Sequence, residues 1–526
     1  MTKATLASLL GALAVQRAAA GAAGTRPALE PFESDGALMP MSQVDQLTFD
    51  KWKELGIQPS RLCSDAVFVR RVFLDVIGTL PNAQEAKDFL NSDEAGKRSA
   101  LVDRLLEAAE FADYWAMKWS DLLRVKAEFP INLWPNAAQA YHRWIWTSIS
   151  QNKPYDRFVR EMLTASGSNF RVPEVNFYRA VLSREPQSLA AAVALTFMGV
   201  RADKWPDQRL AGMAAFFSQV GYKSTDEWKE EIVYWDGGKA TGASRAAKFP
   251  DGTAAALGVD RDPRQVFADW LIQPDNPWFA RNIVNRVWYW LLGRGIVHEP
   301  DDIRPDNPPS NPDLLDYLQR ELVGHHYDLK HVYRLILNSQ AYQLSCIAET
   351  DDPRGGAHFA VYPLRRLEAE VLIDAIDQIT GTTESYTSAI PEPFTYLPTN
   401  QRAIAIPDGS ITSSFLEMFG RPPRDTGLES ERSNRPSADQ RLHLLNSSHV
   451  QQKLQQGRRL QSMFRAGRDS DQAVAALFLS ILSRYPMQQE RSAVADYLRS
   501  GALAKPQAML DVAWALINSP EFLFRH

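Results

Sequence analysis

The chain has 526 residues and a formal net charge of −5 at pH 7, with 45% hydrophobic and 23% charged residues. These values are typical of a globular protein with two or three domains and a large buried core. The negative charge and the lack of a basic run argue against nucleic-acid binding. Two cysteines are too few for a four-cysteine zinc site or an iron–sulfur cluster.

The N-terminal residues 1–23 predict a signal peptide. One lysine precedes an apolar run at 6–15, and small residues follow, so cleavage is expected after Ala20 or a nearby alanine. An alanine-rich terminus without a targeting role is the alternative. No later stretch of eighteen apolar residues is present, so no transmembrane segment is expected after cleavage. We therefore expect a periplasmic, secreted or cell-surface protein, in which Cys63 and Cys346 either form a disulfide or remain buried thiols.

Residues 46–220 predict an N-terminal helical domain. Ser64 is suited to cap one helix, and Asn82 with Glu85 has the pattern of a capping box. Apolar periodicity predicts further helices at 137–150, 155–164 and 189–198, and a long helical stretch at 101–125, either continuous or broken near Glu110. Residues 221–262 are rich in glycine and alanine around one strand-like run at 232–235, and they predict a small hairpin and linker.

Residues 263–526 predict a C-terminal helical domain. Its most distinctive stretch, 275–318, contains an aromatic-rich helix that Gly293 and Gly295 end, a dense polar loop, and a helix that Asn311 caps. Residues 382–440 predict a long irregular loop. Further helices are predicted at 329–337, 362–381, 438–455, 471–482, 488–498 and 508–517. The expected fold is mainly α, with two packed helical domains and a small β-containing linker region.

Several segments resemble one known pair of domains. They include VFVRRVFLDVIGTLPNAQEAKDFL at 67–90, NPWFARNIVNRVWYWLLGRGIV at 276–297 and YPLRRLEAEVLIDAI at 362–376. The pair is the planctomycete cytochrome-c-linked domain followed by the planctomycete-specific domain, and the resemblance extends over about 46–526. It implies an exported protein of planctomycete-like bacteria, from a family often fused to cytochrome c or carbohydrate-binding modules. It implies no established reaction.

The segment GVRADKWPDQRLAGMAAFF at 199–217 departs from that family. Many members carry a CxxCH-type motif between the two ends of this segment, whereas this chain has neither cysteine nor histidine there. Covalent c-type haem needs two thiols and an axial histidine. We therefore expect no haem and no other cofactor, and we assign any electron transfer to a partner protein.

The polar loop that follows the aromatic-rich helix is the best candidate ligand site. Its carboxylate and amide oxygens are of the kind that binds hard cations or polar ligands. We add the helix face that leads into the loop and a charged segment of the 382–440 loop. The alternative is that these residues cap turns and pair with nearby arginines. The candidate ligand-binding residues, with no metal ligand assigned, are Arg281, Asn282, Asn285, Asp301, Asp302, Arg304, Asp306, Asn307, Glu429, Glu431 and Arg432.

Two further clusters have structural explanations. His325, His326 and His331 would need a third or fourth ligand and a second shell to bind zinc, so a solvated helix end is the preferred interpretation. The 362–381 helix also carries four carboxylates that can serve either glycoside hydrolysis or a salt-bridged face, and we prefer the second. These are Glu368, Glu370, Asp374 and Asp377.

Two functions remain open from the sequence. The first is a non-catalytic binding or scaffold component of a cytochrome-linked cell-surface or periplasmic system, without its own haem. Its partner would be a protein or polysaccharide outside the cytoplasm. The second is a hydrolase that acts on extracellular polysaccharide with loop carboxylates. This second function requires a deep cleft in which carboxylates of shifted pKa converge.

Expression in an exporting host with a working haem-attachment system tests both expectations about maturation. Mass spectrometry should find a mature N-terminus between about Gly21 and Arg26, after a small-residue cleavage site. The purified protein should show no Soret band. An intact Met1 in the soluble cell fraction would exclude export, and a stoichiometric Soret band that survives denaturation would show covalent haem.

Overall fold

The structure is a computed structural model that describes residues 28–239, 247–258, 260–397, 399–465, 469–500 and 503–526. The signal peptide predicted at 1–23 lies outside the described residues. Helices dominate the described chain, and its strands form one three-stranded and one two-stranded sheet. The prediction of a mainly α fold is confirmed.

The first part of the chain forms helices whose starts follow the local sequence. Ser64 caps α2, and Asn82 with Glu85 forms a capping box at α3, as predicted. The predicted helix 101–125 is interrupted between α4 and α5. The helices are α1 (Gln43–Leu55), α2 (Asp65–Val76), α3 (Ala83–Asn91), α4 (Lys97–Leu106), α5 (Ala109–Leu122), α6 (Pro135–Ser150), α7 (Tyr155–Thr164), α8 (Asn176–Arg179), α9 (Pro186–Val193) and α10 (Asp207–Ala214).

The predicted hairpin is present and belongs to a three-stranded antiparallel sheet. Strand β1 (Gly167–Ser168) comes from the helical part, whereas β2 (Val220–Ser224) and β3 (Glu231–Trp235) form the hairpin. The strand order is β1-β3-β2, and Val233 is opposite both Gly167 and Tyr222. The segment is therefore joined to the preceding helices by backbone hydrogen bonds. The division into domains at 46–220 and 263–526 stays a prediction.

The second part of the chain is also helical. Gly293 ends α12 with a φ of 70°, and Asn311 caps α13 by accepting a hydrogen bond from the Leu314 N–H. The helices are α11 (Pro263–Leu271), α12 (Phe279–Leu292), α13 (Pro312–Gly324), α14 (Leu329–Leu337), α15 (Arg354–Ala357), α16 (Ala369–Thr380), α17 (Ser414–Met418), α18 (Ala438–Asn446), α19 (Ser448–Gln456), α20 (Arg458–Arg465), α21 (Ser470–Leu482), α22 (Gln488–Arg499), α23 (Lys505–Ile517) and α24 (Pro520–Leu523).

Two helices in this part differ from the prediction. The helix predicted at 362–381 begins only at Ala369, because the residues before it form β4 (Arg365–Arg366), which pairs antiparallel with β5 (Phe524–Arg525). The helix predicted at 438–455 is divided at Ser447, whose side chain caps α19. A distant strand therefore delays the start of the first helix, and a local cap divides the second.

Helix α2 lies in the centre of the core. All of its residues from 67 to 76 are buried, including Arg70, Arg71 and Asp75. The guanidinium of Arg70 donates to the carbonyl oxygens of Ile481 at 2.8 Å and Phe522 at 2.7 Å. Residues near position 526 therefore pack directly on a helix near position 70.

Buried ion pairs also join α2 to residues near position 525. Arg525 Nε lies 2.9 Å from Asp75 Oδ1, and the same guanidinium pairs with Glu368. Lys118 Nζ lies 2.7 Å from the other oxygen of Glu368. The chain Asp75–Arg525–Glu368–Lys118, which we call the buried ion chain, joins α2, β5, the residue before α16, and α5.

Two expectations from the sequence concern the membrane and the cysteines. Within the part of the chain that the structure describes, no helix combines the length and apolarity needed to cross a bilayer. Cys63 and Cys346 are both free thiols, of which Cys63 is buried.

We predict that Arg525→Met lowers the free energy of unfolding by about 3–5 kcal/mol, because it leaves two buried carboxylates without their shared cation. Urea denaturation measures this change. The matched control is Arg499→Met, which removes an exposed arginine paired with Asp496 and should change stability little. Equal effects of the two substitutions would contradict a structural role for the buried ion chain.

Candidate functional site

A cleft of about 650 Å³ lies where the N-terminal helices meet the C-terminal part of the chain. Side chains from α5, α12, β4 and the 3₁₀ turn Glu429–Glu431 converge on it. We call it the charged cleft. Its polar lining includes Lys118, Tyr289, Arg365, Arg366, Glu368, Glu429, Arg432 and Arg435.

Glu368 is held by two cations. Its oxygens pair with Lys118 and Arg525, as described for the buried ion chain. Burial alone would raise the pKa of Glu368, but the charges of Arg525, Lys118 and Arg432 outweigh it and hold that pKa well below its usual range. Glu368 is therefore an anion whose oxygens are already engaged.

Arg432 is engaged in the same way. Its guanidinium lies 2.6 Å from both Asp121 Oδ2 and Glu370 Oε2. Arg424 Nε binds the other oxygen of Asp121 at 2.9 Å. These buried pairs fasten the segment after the Glu429–Glu431 turn to α5 and α16. They position the cleft wall and leave Arg432 little capacity for a ligand.

Glu429 differs from Glu368 in its environment. Trp290 Nε1 donates to Glu429 Oε2 at 3.1 Å, and Arg286 Nη1 lies 3.4 Å from the same oxygen. The hydrogen bonds of this carboxyl group with described residues all use Oε2. Burial raises the pKa of Glu429, and the charge of Arg286 opposes that rise. Glu429 therefore keeps its proton to a higher pH than an exposed glutamate.

Arg366 is a buried cation that forms no salt bridge with a described residue. Only 5% of the residue is exposed, and no carboxylate among the described residues lies within salt-bridge distance of it. Its Nη2 donates to the carbonyl oxygens of Phe419 at 2.5 Å and Ser433 at 3.3 Å, whereas Nε and Nη1 have no partner there. Burial lowers the pKa of Arg366 to about 10, although the charge of Glu368 opposes this change, so Arg366 stays charged at neutral pH. An anion in the cleft would supply the missing charge.

A second cleft, of about 570 Å³, contains Asp374 and Asp377. Burial raises the pKa of Asp374 to about 7. However, both of its oxygens accept backbone hydrogen bonds, from the N–H groups of Ala403 at 2.7 Å and Ile404 at 3.1 Å. Lys453 Nζ lies 2.6 Å from Asp377 Oδ1. Asp374 therefore holds the backbone at 403–404, and Asp377 pairs with a lysine side chain. Because both carboxylates are engaged, the charged cleft is the better candidate site.

The structure brings together predicted site residues from two distant segments, Asp301 and Glu429. Asp301 is buried, and its Oδ1 lies 2.7 Å from Arg286 Nη2. Its Oδ2 accepts a hydrogen bond from the Glu429 N–H at 2.7 Å. Asp301 therefore contacts the Glu429 segment through the backbone N–H of Glu429. It does not line the charged cleft.

The asparagines of α12 have structural contacts. Asn285 binds both backbone groups of Val297, donating to the carbonyl at 3.0 Å and accepting from the N–H at 2.8 Å. Asn282 is also buried and donates to the Thr196 carbonyl at 3.1 Å. Their predicted role in ligand binding stays a prediction, since these hydrogen bonds explain their positions.

Other predicted residues lie away from the charged cleft. Arg281, Arg304 and Asn307 line a separate groove of about 510 Å³, and Arg281 also pairs with Asp316. The remaining predicted carboxylates have nearby partners. Arg304 lies 3.2 Å from Asp302 and 3.1 Å from Asp306, and Glu431 accepts from the backbone N–H groups of Asp425 at 2.8 Å and Thr426 at 3.3 Å.

Sequence reasoning missed Lys118 and Arg366 as cleft residues. Lys118 lies in an amphipathic helix and Arg366 in a predicted helix, so neither position carries a pattern that marks burial. Whether a carboxylate lies next to Arg366 depends on the distant segments that surround it. Apolar periodicity does not reveal those segments.

Two family models match the chain. PSCyt2, described as a protein of unknown function (DUF1549), matches residues 43–220. PSD1, described as a protein of unknown function (DUF1553), matches residues 263–498. The resemblance to this pair of domains, in this order, is confirmed. No curated protein and no solved structure matches the chain.

We predict that Asp301→Asn lowers the free energy of unfolding by on the order of 3 kcal/mol, because it weakens the buried pair with Arg286. The partly exposed Asp302→Asn, a matched control in the same loop, should cost less than about 1 kcal/mol. Urea denaturation compares the two variants. An Asp301→Asn protein of unchanged stability that fails to bind a ligand would instead support the ligand-binding role predicted from sequence.

Proposed function

Because the chain belongs to the family in which a PSCyt2 domain is followed by a PSD1 domain, we propose its function from the cleft that residues of both domains line. The protein binds a small anionic ligand in the charged cleft and acts as a binding component, not as a catalyst. The ligand presents a carboxylate, sulfate or phosphate group to Arg366.

The observation that carries this proposal is the unpaired charge of Arg366. The neighbouring charged residues Glu368 and Arg432 have buried partners, so the protein itself balances them. Arg366 lacks such a partner among the described residues and lines a cleft of about 650 Å³. That volume falls within the range of small-molecule sites. An acidic sugar chain therefore fits the cleft better than a flat protein surface does.

The cellular setting is part of the same proposal. The apolar run at 6–15 and the alanine-rich residues that follow it support export. The resemblance to cytochrome-linked proteins supports a role beside an electron-transfer partner. The 199–217 segment, which lacks cysteine and histidine, supports the absence of covalent haem from this chain. We thus place the protein in the periplasm or at the cell surface, as a haem-free member of a cytochrome-linked system.

One observation favours a second candidate, a polysaccharide hydrolase. Glu429 lines the cleft with a raised pKa, which suits a proton donor to a glycosidic oxygen. Glycoside hydrolysis also needs a second carboxylate that is free to act as base or nucleophile. Glu368 is the nearest candidate in the lining, but Lys118 and Arg525 occupy both of its oxygens. Binding without turnover is therefore better supported.

We predict that uronic-acid oligosaccharides bind in isothermal titration calorimetry and that neutral oligosaccharides of the same length do not. Arg366→Met should weaken binding at least about tenfold, or 1.4 kcal/mol. Arg366→Met removes a buried charge together with its hydrogen bonds to the carbonyl oxygens of Phe419 and Ser433, so urea denaturation has to show that the variant is folded. The control is Arg70→Met: Arg70 is equally buried, with a pKa lowered by burial to about 10, but it does not line the cleft.

The outcomes separate the candidates. Equal binding of acidic and neutral oligosaccharides, or full affinity in Arg366→Met, would contradict the proposed site. Release of shorter sugars by the wild-type protein that is lost in Glu429→Gln would favour the hydrolase. Binding without such products supports the binding protein.

A further inference from the structure

Two histidines and a glutamate meet at the corner between α13 and α14. Glu321 lies in the last turn of α13, His325 follows that helix as its C-cap, and His331 lies in the first turn of α14. One ligand atom from each residue lies within 4.8 Å of the other two. We propose that this cluster binds one divalent transition-metal ion of the zinc class, as a site separate from the charged cleft.

The distances match those between the ligands of such an ion. His331 Nε2 lies 2.9 Å and His325 Nδ1 lies 3.5 Å from the same oxygen, Glu321 Oε2. Tetrahedral zinc with bonds of about 2.0–2.1 Å separates its ligand atoms by roughly 3.3 Å. The two observed separations lie on either side of that value. Binding of one ion by both imidazoles also requires the stacked rings, whose centroids are 3.6 Å apart, to rotate until their in-plane lone pairs converge.

The donor set selects the class of metal. Imidazole nitrogens suit zinc, copper and nickel, whereas calcium and magnesium prefer oxygen ligands alone. Two histidines and one glutamate are a known three-residue zinc set with water as the fourth ligand. The side chain of His325 is 51% exposed, so water has direct access to the cluster.

Metal binding also requires a lone pair on each ring nitrogen. In the ligand-free protein, His331 Nε2–H donates to Glu321 Oε2, and His325 Nδ1 lies 2.9 Å from the Glu321 carbonyl oxygen. When the ion enters, each neutral imidazole carries its proton on the opposite ring nitrogen and gives the freed lone pair to the metal. The carboxylate contributes one oxygen, and no redox step is involved.

The corner that presents these ligands is firmly held. Tyr327 N–H donates to the Leu322 carbonyl at 2.8 Å, and Tyr327 Oη donates to the Ile272 carbonyl at 2.9 Å. Asp328 Oδ1 accepts from the His331 N–H at 3.2 Å and from Asn152 Nδ2 at 2.9 Å. The two imidazole rings stack with centroids 3.6 Å apart. The backbone that carries the ligands is therefore fixed, and metal binding has to reorient only their side chains.

Titration of untagged, chelator-treated protein with ZnCl₂ tests the proposal. Calorimetry should find one ion per chain, and CoCl₂ should give the visible absorption bands of tetrahedral cobalt. His331→Gln and His325→Asn should each lose this binding, and Glu321→Gln should lose it without changing a histidine. Zinc should also raise the thermal unfolding temperature of the wild-type protein, and not that of these three variants.

The matched control is His326→Asn. His326 is an exposed histidine between the ligands in sequence but outside the cluster, and asparagine tolerates its φ of 54°. It should bind zinc as the wild type does. Absence of stoichiometric binding by the wild type, or binding that persists in a His325→Asn/His331→Gln double variant, would overturn the proposal. Thermal unfolding of the metal-free variants, which alter half-buried or exposed side chains, identifies any loss of fold.

Discussion

The structure depends on charges that are buried where distant parts of the chain meet. Arg525 lies between Asp75 and Glu368, and Lys118 closes the other side of Glu368. Moving such groups out of water costs several kcal/mol per ion, and only a complete set of partners offsets that cost. Helices α2 and α5 and the β4–β5 pair therefore have to assemble together, because an incomplete set leaves an unpaired buried charge.

The same constraint determines what the charged cleft can offer a ligand. Most of its charged side chains belong to pairs that hold the wall in place, so their presence in a cleft does not make them reactive. Arg366 and Glu429 differ from the others: Arg366 forms no salt bridge with a described residue, and Glu429 has a raised pKa although it pairs with Arg286. A site of this kind recognises charge more readily than it breaks bonds, since the second carboxylate needed for hydrolysis is already engaged.

In the folded structure, two polar segments have roles that differ from those that their sequences indicate. The loop around Asp301 resembles a ligand site in sequence, yet Asp301 supports the Glu429 turn through Arg286 and a backbone hydrogen bond. The histidines at 325 and 331 resemble a solvated helix end, yet Glu321, one turn earlier on α13, completes a three-ligand cluster with them. Both histidines approach the same oxygen of Glu321 because of the way the chain turns between α13 and α14. The spacing of these residues in the sequence does not specify that turn.

The sequence by itself determined the features that depend on neighbouring residues. Apolar periodicity located α7 and α14 at their observed bounds. Ser64, Asn82 and Asn311 marked the starts of α2, α3 and α13, because a cap bonds within the first turn of its own helix. The tertiary structure alone decided the features that depend on distant partners. Arg365 and Arg366 form a strand and not a helix because Phe524 and Arg525 pair with them. Glu368 and Glu370 pair with arginines from other elements, Arg525 and Arg432. A buried carboxylate needs such a cation nearby, and only the tertiary structure decides which segment supplies it.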